Sequence, residues 1–203
     1  MKILIISPPR CGSTSLLDNI SALANCEKMF EPYRNNISDG IFENEYPLLL
    51  PQNCVVKMIP YQVPKKYGKP SDFFNFILSI YKEYDKIILL NRKNLQDHFE
   101  SFVNLRIRMD KKLNVYVPWF KEDIEKKIIE YNIEQLKPYR NIIDEISNEL
   151  KIPIIYYEDL YGEDRAKSLE IIKSWNLGID NNKLNELLHP KFKYRKSGKK
   201  NII

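Results

Sequence analysis

Small, polar and basic residues follow the first apolar run of the chain. Residues 3–6 read Ile-Leu-Ile-Ile and lead into Ser7-Pro8-Pro9-Arg10-Cys11-Gly12-Ser13-Thr14-Ser15, after which a helical pattern begins. A strand, a Gly/Ser/Thr turn and a helix N-terminus together present free backbone N–H groups and the positive end of a helix dipole. Arg10 adds a positive charge inside the loop. The sequence therefore predicts an anion-binding loop at residues 7–15.

This loop departs from the pattern G-x-x-x-x-G-K-[ST] of nucleotide triphosphatases. Gly12 and Thr14 match that pattern, whereas Ser7 stands in place of its first Gly and Ser13 in place of its Lys. An ATPase needs that Lys on the β- and γ-phosphates. We therefore expect the loop to hold a different anion.

The segment Pro9–Leu16 resembles the P-[RK]-S-G-[ST]-[ST]-x-[LW] loop of sulfotransferases, with Cys11 where the family usually has Ser. These enzymes take a sulfuryl group from 3′-phosphoadenosine 5′-phosphosulfate (PAPS) and release 3′-phosphoadenosine 5′-phosphate (PAP). The resemblance implies that the loop holds the 5′-phosphosulfate of PAPS. The ligands that it implies are Pro9, Arg10, Cys11, Gly12, Ser13, Thr14 and Ser15.

A second segment resembles the 3′-phosphate site of the same family, where a strand ends at an Arg and a helix supplies a Ser eight residues later. Residues 86–91 read as a buried strand, Arg92 and Lys93 follow it, and Ser101 lies on the next predicted helix. Ser101 follows Arg92 by nine residues and Lys93 by eight. The resemblance implies Arg92 as the main ligand, Lys93 as its helper and Ser101 as a third ligand. The spacing leaves open which cation dominates.

Two later segments extend the resemblance. The segment 152–160 reads as a strand ending in Tyr-Glu-Asp-Leu, like a late strand of the family, and we expect a mainly structural role for its polar residues, Tyr156, Tyr157, Glu158 and Asp159. The basic segment 192–198 partly resembles the R-K-G loop that closes over the 3′-phosphate in cytosolic members. That likeness implies Arg195 and Lys196 as ligands, and a plain basic tail is the alternative.

Glu31 is the candidate general base. It lies in Phe30-Glu31-Pro32, which resembles the F-E-P segment of carbohydrate sulfotransferases, and it follows Arg10 by 21 residues. An acceptor hydroxyl must lose its proton as it attacks sulfur, and a positioned carboxylate can take that proton. The alternative is a surface Glu paired with Arg34 or Lys28.

Three other residues are candidates for the chemistry. Lys57 is a cation in the apolar run Val55-Val56-Lys57-Met58-Ile59, where burial is costly unless the charge is paired. A position facing the sulfuryl oxygens is expected, and the alternative is an edge strand with the ammonium in water. His98 is the rival base but is expected to line or cap its helix, and His189 ranks lower.

Composition limits the classes of protein to consider. The chain has 203 residues, 43% of them hydrophobic, which suits a single domain over residues 1–190 with a basic tail over 191–203. The net charge of +5 does not demand a nucleic acid. Three cysteines without metal-ligand spacing favour a reduced, cytoplasmic protein without a metal. The first apolar run is too short for a signal peptide or a membrane span, so a membrane partner is not expected.

Short apolar runs at 3–6, 54–59, 86–91 and 153–157 predict buried strands of a parallel sheet. Amphipathic patterns between them predict helices over 14–24, 71–84, 94–108, 122–150 (kinked or broken at Pro138) and 163–175. This alternation is typical of an α/β fold, a three-layer doubly wound parallel β-sheet with its site at the carboxyl ends of the strands. The resemblance implies the P-loop NTPase-like sulfotransferase fold.

The expected function is sulfuryl transfer from PAPS to a hydroxyl of a small-molecule or glycan acceptor, with Glu31 as base and with Arg10 and Lys57 stabilising charge. Residues 33–53 and 109–118 are the expected acceptor-facing loops. Two alternatives stay open. One is a P-loop kinase of a nucleoside or small metabolite, and the other is a non-catalytic nucleotide-binding protein.

Overall fold

Five parallel strands form the central sheet of the structure, a computed structural model that describes residues 1–33, 41–42, 49–64, 69–110, 133–180 and 182–184. A separate parallel pair consists of β3 (Ile41–Phe42) and β5 (Val63–Pro64). The strands of the central sheet are β1 (Lys2–Ile6), β2 (Glu27–Phe30), β4 (Cys54–Met58), β6 (Lys86–Asn91) and β7 (Ile154–Tyr156). They are hydrogen-bonded in the order β2–β4–β1–β6–β7, so β1 is central.

Four helices lie between strands along the described chain, and two follow β7, the last strand. Their starts follow local rules: the side chain of Asp164 accepts a hydrogen bond from the N–H of Lys167, and Pro138 occupies the first turn of its helix. The bounds are α1 (Ser13–Leu23), α2 (Phe73–Ile80), α3 (Leu95–Asp110), α4 (Lys137–Leu150), α5 (Tyr157–Tyr161) and α6 (Arg165–Ser174).

Helices cover both faces of the sheet. Ile3 and Ile5 of β1 pack into one apolar cluster with residues of α1 and α6. Leu4 and Ile6 point to the other face and pack with residues of α2 and α4. Because successive side chains of a strand alternate between faces, this division requires strands that are apolar throughout. The predicted α/β architecture, with a parallel sheet between helices, is confirmed.

The direction of chain progression reverses at β1. The chain leaves β1 toward β2 and β4 on one side, and it later crosses to β6 and β7 on the other. In open parallel sheets, ligands bind in the crevice outside the carboxyl ends of the strands at such a reversal. The loop after β1, residues 7–12, lies at this position.

Some predicted elements differ from the structure. Strand β2 was not predicted, and Tyr157 begins α5 instead of ending β7. In the described part of the stretch expected to be helical over 122–150, a short turn at Ile133–Leu136 precedes α4, as a break at Pro138 predicts, and Pro138 lies in the first turn of α4. Residues 122–132 of that prediction and the tail 191–203 lie outside the described residues. No helix of the described segments is long and apolar enough to span a membrane.

Candidate active site

The loop between β1 and α1 turns sharply. Arg10 and Gly12 both have left-handed backbone angles, with φ of 70° and 77°. Ser7 Oγ donates to Ser13 Oγ at 2.7 Å, and both side chains are buried, so this bond closes the loop from within. Gly12 is the N-cap of α1 and has no side chain with which to cap it. Backbone N–H groups at such a helix end bind anions.

Two aromatic rings lie directly against the backbone of Gly12. A Cβ atom at this position would lie 2.9 Å from Cδ2 and Cε2 of Tyr157 and 3.1 Å from Cε2 of Tyr161. These rings belong to α5, so the helix after β7 packs onto the turn of the anion loop. Glycine is required here for both its conformation and its size.

Gly12→Ala is expected to lower the free energy of unfolding by about 3 kcal/mol, because the new methyl adds a clash to the left-handed strain. Gly178→Ala is the matched control, since Gly178 has φ of 68° but a Cβ atom there would have no neighbour within 4 Å. The control is expected to cost about 1–2 kcal/mol, from the left-handed strain alone. Urea unfolding of both variants measures the difference, and equal losses would contradict the close packing against Tyr157.

The two predicted anion segments meet in the structure. Arg10 Nε donates to Ser101 Oγ at 3.2 Å, across 91 residues of sequence. Ser101 lies on α3, which follows β6, and β6 pairs in parallel with β1. Since parallel neighbours end at the same edge of a sheet, the loop after β1 and the helix after β6 share that edge. Both segments therefore line one site.

A buried ion pair lies beside the first turn of α1. Lys57 Nζ donates to Glu31 Oε1 at 2.5 Å and to Thr14 Oγ1 at 3.1 Å. The side chains of Lys57 and Glu31 are only 6% and 4% exposed. Gln62 Nε2 donates to Glu31 Oε2 at 3.0 Å, so both carboxylate oxygens have donors. Buried charges are tolerated in this kind of paired, hydrogen-bonded arrangement.

The positions of Lys57 and Glu31 bear on the alternatives given for each of them in the sequence analysis. Strand β4 lies between β2 and β1, so the edge-strand alternative for Lys57 is wrong. The surface alternative for Glu31 is also wrong, because the carboxylate is buried. Lys28 pairs with Asp18 instead, at 3.0 Å. A carboxylate and an ammonium thus lie next to the anion loop, where they can exchange a proton with a ligand or stabilise its charge.

His98 is buried beneath the anion loop. Its Nε2 lies 2.7 Å from the carbonyl oxygen of Pro9 and 3.8 Å from Cys11 Sγ. Its Nδ1 lies 3.3 Å from Nη1 of Arg140. Burial raises the pKa of the Cys11 thiol to about 12, so it stays protonated beside these arginines. A fully buried, protonated thiol is a poor nucleophile.

Burial lowers the pKa of His98 from 6.5 to about 4, and the positive charges of Arg140, Arg92 and Arg10 act in the same direction. At pH values between these two pKa values, His98 takes up a proton in the unfolded chain but not in the folded chain. We therefore expect the free energy of unfolding to fall as pH drops from about 6.5 to about 4, by about 3 kcal/mol from this group.

The variant His98→Gln has no group that titrates at this position. Comparing it with the wild type therefore separates the contribution of His98 from that of the carboxylates, which titrate in the same pH range. Urea unfolding of wild type and variant at pH 7 and pH 4 measures it. The advantage of wild type over the variant is expected to shrink by about 3 kcal/mol at the lower pH. An advantage that is the same at both pH values would contradict the depressed pKa of His98.

Arg92 and Lys93 face carboxylates of the segment after β7. Arg92 Nε lies 3.6 Å from Glu158 Oε1, and its guanidinium stacks 4.5 Å from the centroid of the Tyr157 ring. Lys93 Nζ donates to Asp159 Oδ1 at 2.7 Å. Arg92 Nε and Glu158 Oε1 are buried and form no hydrogen bond with any described residue. The structural role predicted for these carboxylates fits the contacts, and the Arg92 guanidinium keeps donor capacity for an anion.

Other predicted site residues lie elsewhere or outside the described part of the chain. Ser15 lies in the first turn of α1 with Thr14. Arg195, Lys196 and His189 lie outside the described residues, as do most of the expected acceptor-facing loops. Sequence reasoning missed two contributors, Gln62 and Arg140. Gln62 follows a strand by four residues and carries no recognisable motif, and Arg140 is one of many cations on amphipathic helices.

Comparisons with known proteins add no assignment. No protein-family model matches the chain, and no curated protein matches it significantly.

Proposed function

We propose that the protein is a sulfotransferase that moves a sulfuryl group from PAPS to an acceptor hydroxyl, on the sulfotransferase variant of the P-loop-like fold. One observation carries the proposal: Arg10 of the anion loop donates to Ser101 of the second anion segment at 3.2 Å. PAPS carries anionic groups at both its 5′ and 3′ positions, and a site lined by both segments suits such a ligand.

Residues at the carboxyl edge of the sheet would hold PAPS. The backbone of residues 12–14 and the Arg10 guanidinium suit the 5′-phosphosulfate, since helix N-termini and planar guanidinium groups both favour such oxyanions. Ser101 and Arg92 suit the 3′-phosphate. Arg92 Nε faces Glu158 Oε1 at 3.6 Å and Nη1 donates to the Asp97 carbonyl at 3.1 Å, so the 3′-phosphate would bind the remaining N–H groups of this guanidinium. The close packing of Gly12 keeps the loop in the shape that this requires.

Lys57 and Glu31 would perform the chemistry. As the acceptor oxygen attacks sulfur, the bond from sulfur to the 5′-phosphate oxygen breaks and the hydroxyl proton passes to Glu31. Lys57, which already contacts Thr14 of the loop, then stabilises negative charge on the peripheral and leaving oxygens. A loose, in-line transition state like that of phosphoryl transfer demands mainly positioning and charge stabilisation. The products are the sulfated acceptor and PAP.

Glu31→Gln is expected to slow transfer by about a hundredfold or more, because the base is lost. The affinity for PAP should not fall, since Lys57 is then no longer neutralised by a carboxylate. Turnover of labelled PAPS and calorimetric titration with PAP measure the two effects. Unchanged turnover together with weaker PAP binding would make Glu31 a structural residue.

Transfer of label tests the proposal as a whole. The purified protein is incubated with sulfur-labelled PAPS and pools of sugars and phenols, without added metal, and the labelled products are separated. The proposal predicts label on a hydroxyl acceptor together with stoichiometric PAP, and about a hundredfold less of both with Arg10→Ala. In a parallel incubation with ATP and magnesium, transfer of the γ-phosphate to any of these acceptors would instead establish the kinase alternative.

A further inference from the structure

A chain of hydrogen bonds connects the two anion segments beneath the site. It runs from the Pro9 carbonyl to His98, from His98 to Arg140, and from Arg140 to the Arg92 carbonyl, with distances of 2.7, 3.3 and 2.8 Å. Pro9 immediately precedes Arg10, and Arg92 itself belongs to the second segment. We call His98 and Arg140 the bridge.

The chemistry of the groups fixes the direction of each bond in the bridge. A carbonyl oxygen only accepts, so His98 Nε2 carries the proton and donates to Pro9. Nδ1 of the neutral ring is then an acceptor, and the Arg140 guanidinium, which only donates, supplies its hydrogen from Nη1. The same Nη1 donates to the carbonyl of Arg92. The bridge is therefore satisfied only with neutral His98.

Positive charge accumulates around the bridge. The guanidinium groups of Arg10, Arg92 and Arg140 all act electrostatically on the buried His98 and Cys11 side chains. Three such cations come from three different elements: the loop after β1, the end of β6, and α4. Glu158 Oε1 lies 3.6 Å from Arg92 Nε and offsets part of this charge, and hydrogen bonds oppose the remaining mutual repulsion of the three cations. The bridge supplies the hydrogen bonds, which hold the backbones of two of these cationic segments.

We propose that His98 and Arg140 are positioning residues that fix the distance between the Arg10 and Arg92 segments, so that the site selects nucleotides with anionic groups at both the 3′ and 5′ positions. This inference rests on the proposed function and deepens it. The ribose sets the spacing of the two groups in such a ligand. Each segment alone binds one anion, and the bridge makes binding of the two anions cooperative.

The distinguishing quantity is the ratio of the affinities for PAP and for 5′-AMP, which differ only in the 3′-phosphate. His98→Gln leaves a side-chain amide that can still donate to Pro9, but its carbonyl oxygen does not take the position of Nδ1, which faces Arg140. Arg140→Gln removes the other half of the bridge. Lys137→Gln is the matched control, because it removes one charge from an exposed position of the same helix.

Isothermal titration of the wild type and these three variants with PAP and 5′-AMP tests the inference. Wild type is expected to favour PAP, and each bridge variant to lose about tenfold or more of that preference while its 5′-AMP affinity changes far less. Lys137→Gln should retain the preference. A purely structural role would weaken both ligands equally, and that result, or an unchanged ratio in a folded His98→Gln variant, would overturn the inference. Wild type without any preference for PAP would instead overturn the proposed function.

Discussion

Lys57→Met is expected to lower the free energy of unfolding by about 3–5 kcal/mol. The substitution keeps the length and apolar stem of the side chain, but it removes the ammonium that Glu31 faces at 2.5 Å. Glu31 then remains as a buried carboxylate that still accepts from Gln62 but has lost its ion pair with Lys57. Breaking a buried pair from one side is costly because the other charge stays desolvated. Urea unfolding at pH 7 measures the loss.

Two further variants test whether the loss of stability comes from the broken buried ion pair and not merely from the removal of a lysine. Lys28→Met removes a lysine that pairs with Asp18 at the surface, where both side chains are about half exposed, and it is expected to cost less than about 1 kcal/mol. Glu31→Gln in the Lys57→Met background removes the stranded charge and should restore about 2 kcal/mol. A loss from Lys57→Met as small as that from Lys28→Met would contradict the buried pair.

Arg10→Ala is expected to reduce sulfuryl transfer by about a hundredfold or more, corresponding to roughly 3 kcal/mol of lost charge stabilisation. The guanidinium is the cation within the anion loop, and its contact with Ser101 orients it toward the second segment. Turnover of labelled PAPS under saturating acceptor measures the effect.

Arg10→Lys serves as the matched variant for this prediction. It keeps the charge but loses the planar fork that binds two oxygens of an oxyanion, so an intermediate rate is expected. Full wild-type turnover in the alanine variant would rule out the role assigned to Arg10. Thermal unfolding of both variants shows whether a lost rate reflects lost fold.

The strands that could be predicted are apolar runs in the sequence, and they include the edge strand β7, whose residues are only partly buried. β1, β4 and β6 are apolar runs bounded by turn residues, and the sheet buries most of each. β2 was missed because Glu27 and Lys28 are exposed at the sheet edge and interrupt the apolar pattern. An edge strand gains its hydrogen bonds from a neighbour, and the local sequence does not reveal that neighbour.

Some features of the candidate site could also be predicted from the local sequence, and others could not. The anion loop and the strand-end cations were recognisable because their residue types lie close together in the sequence. The contact between Arg10 and Ser101, and the bridge through Arg140, depend on the order of strands in the sheet, which local patterns do not fix. Lys57 stood out because a cation within an apolar strand is costly to bury unless it is paired, and its predicted position facing the sulfuryl oxygens stays a prediction. Its partner, Glu31, was singled out as a candidate base from the Phe30-Glu31-Pro32 segment, and its pairing with Lys57 was not predicted.

Calorimetric titration with PAP, ADP and ATP, with and without magnesium, tests the central claim most directly. A PAPS-dependent enzyme is predicted to bind PAP in the micromolar range without metal and ADP much more weakly, because only PAP occupies the Arg92 and Ser101 positions. Preference for magnesium-ATP would contradict that claim in favour of a kinase. Binding of none of the three would contradict it in favour of a protein without nucleotide chemistry.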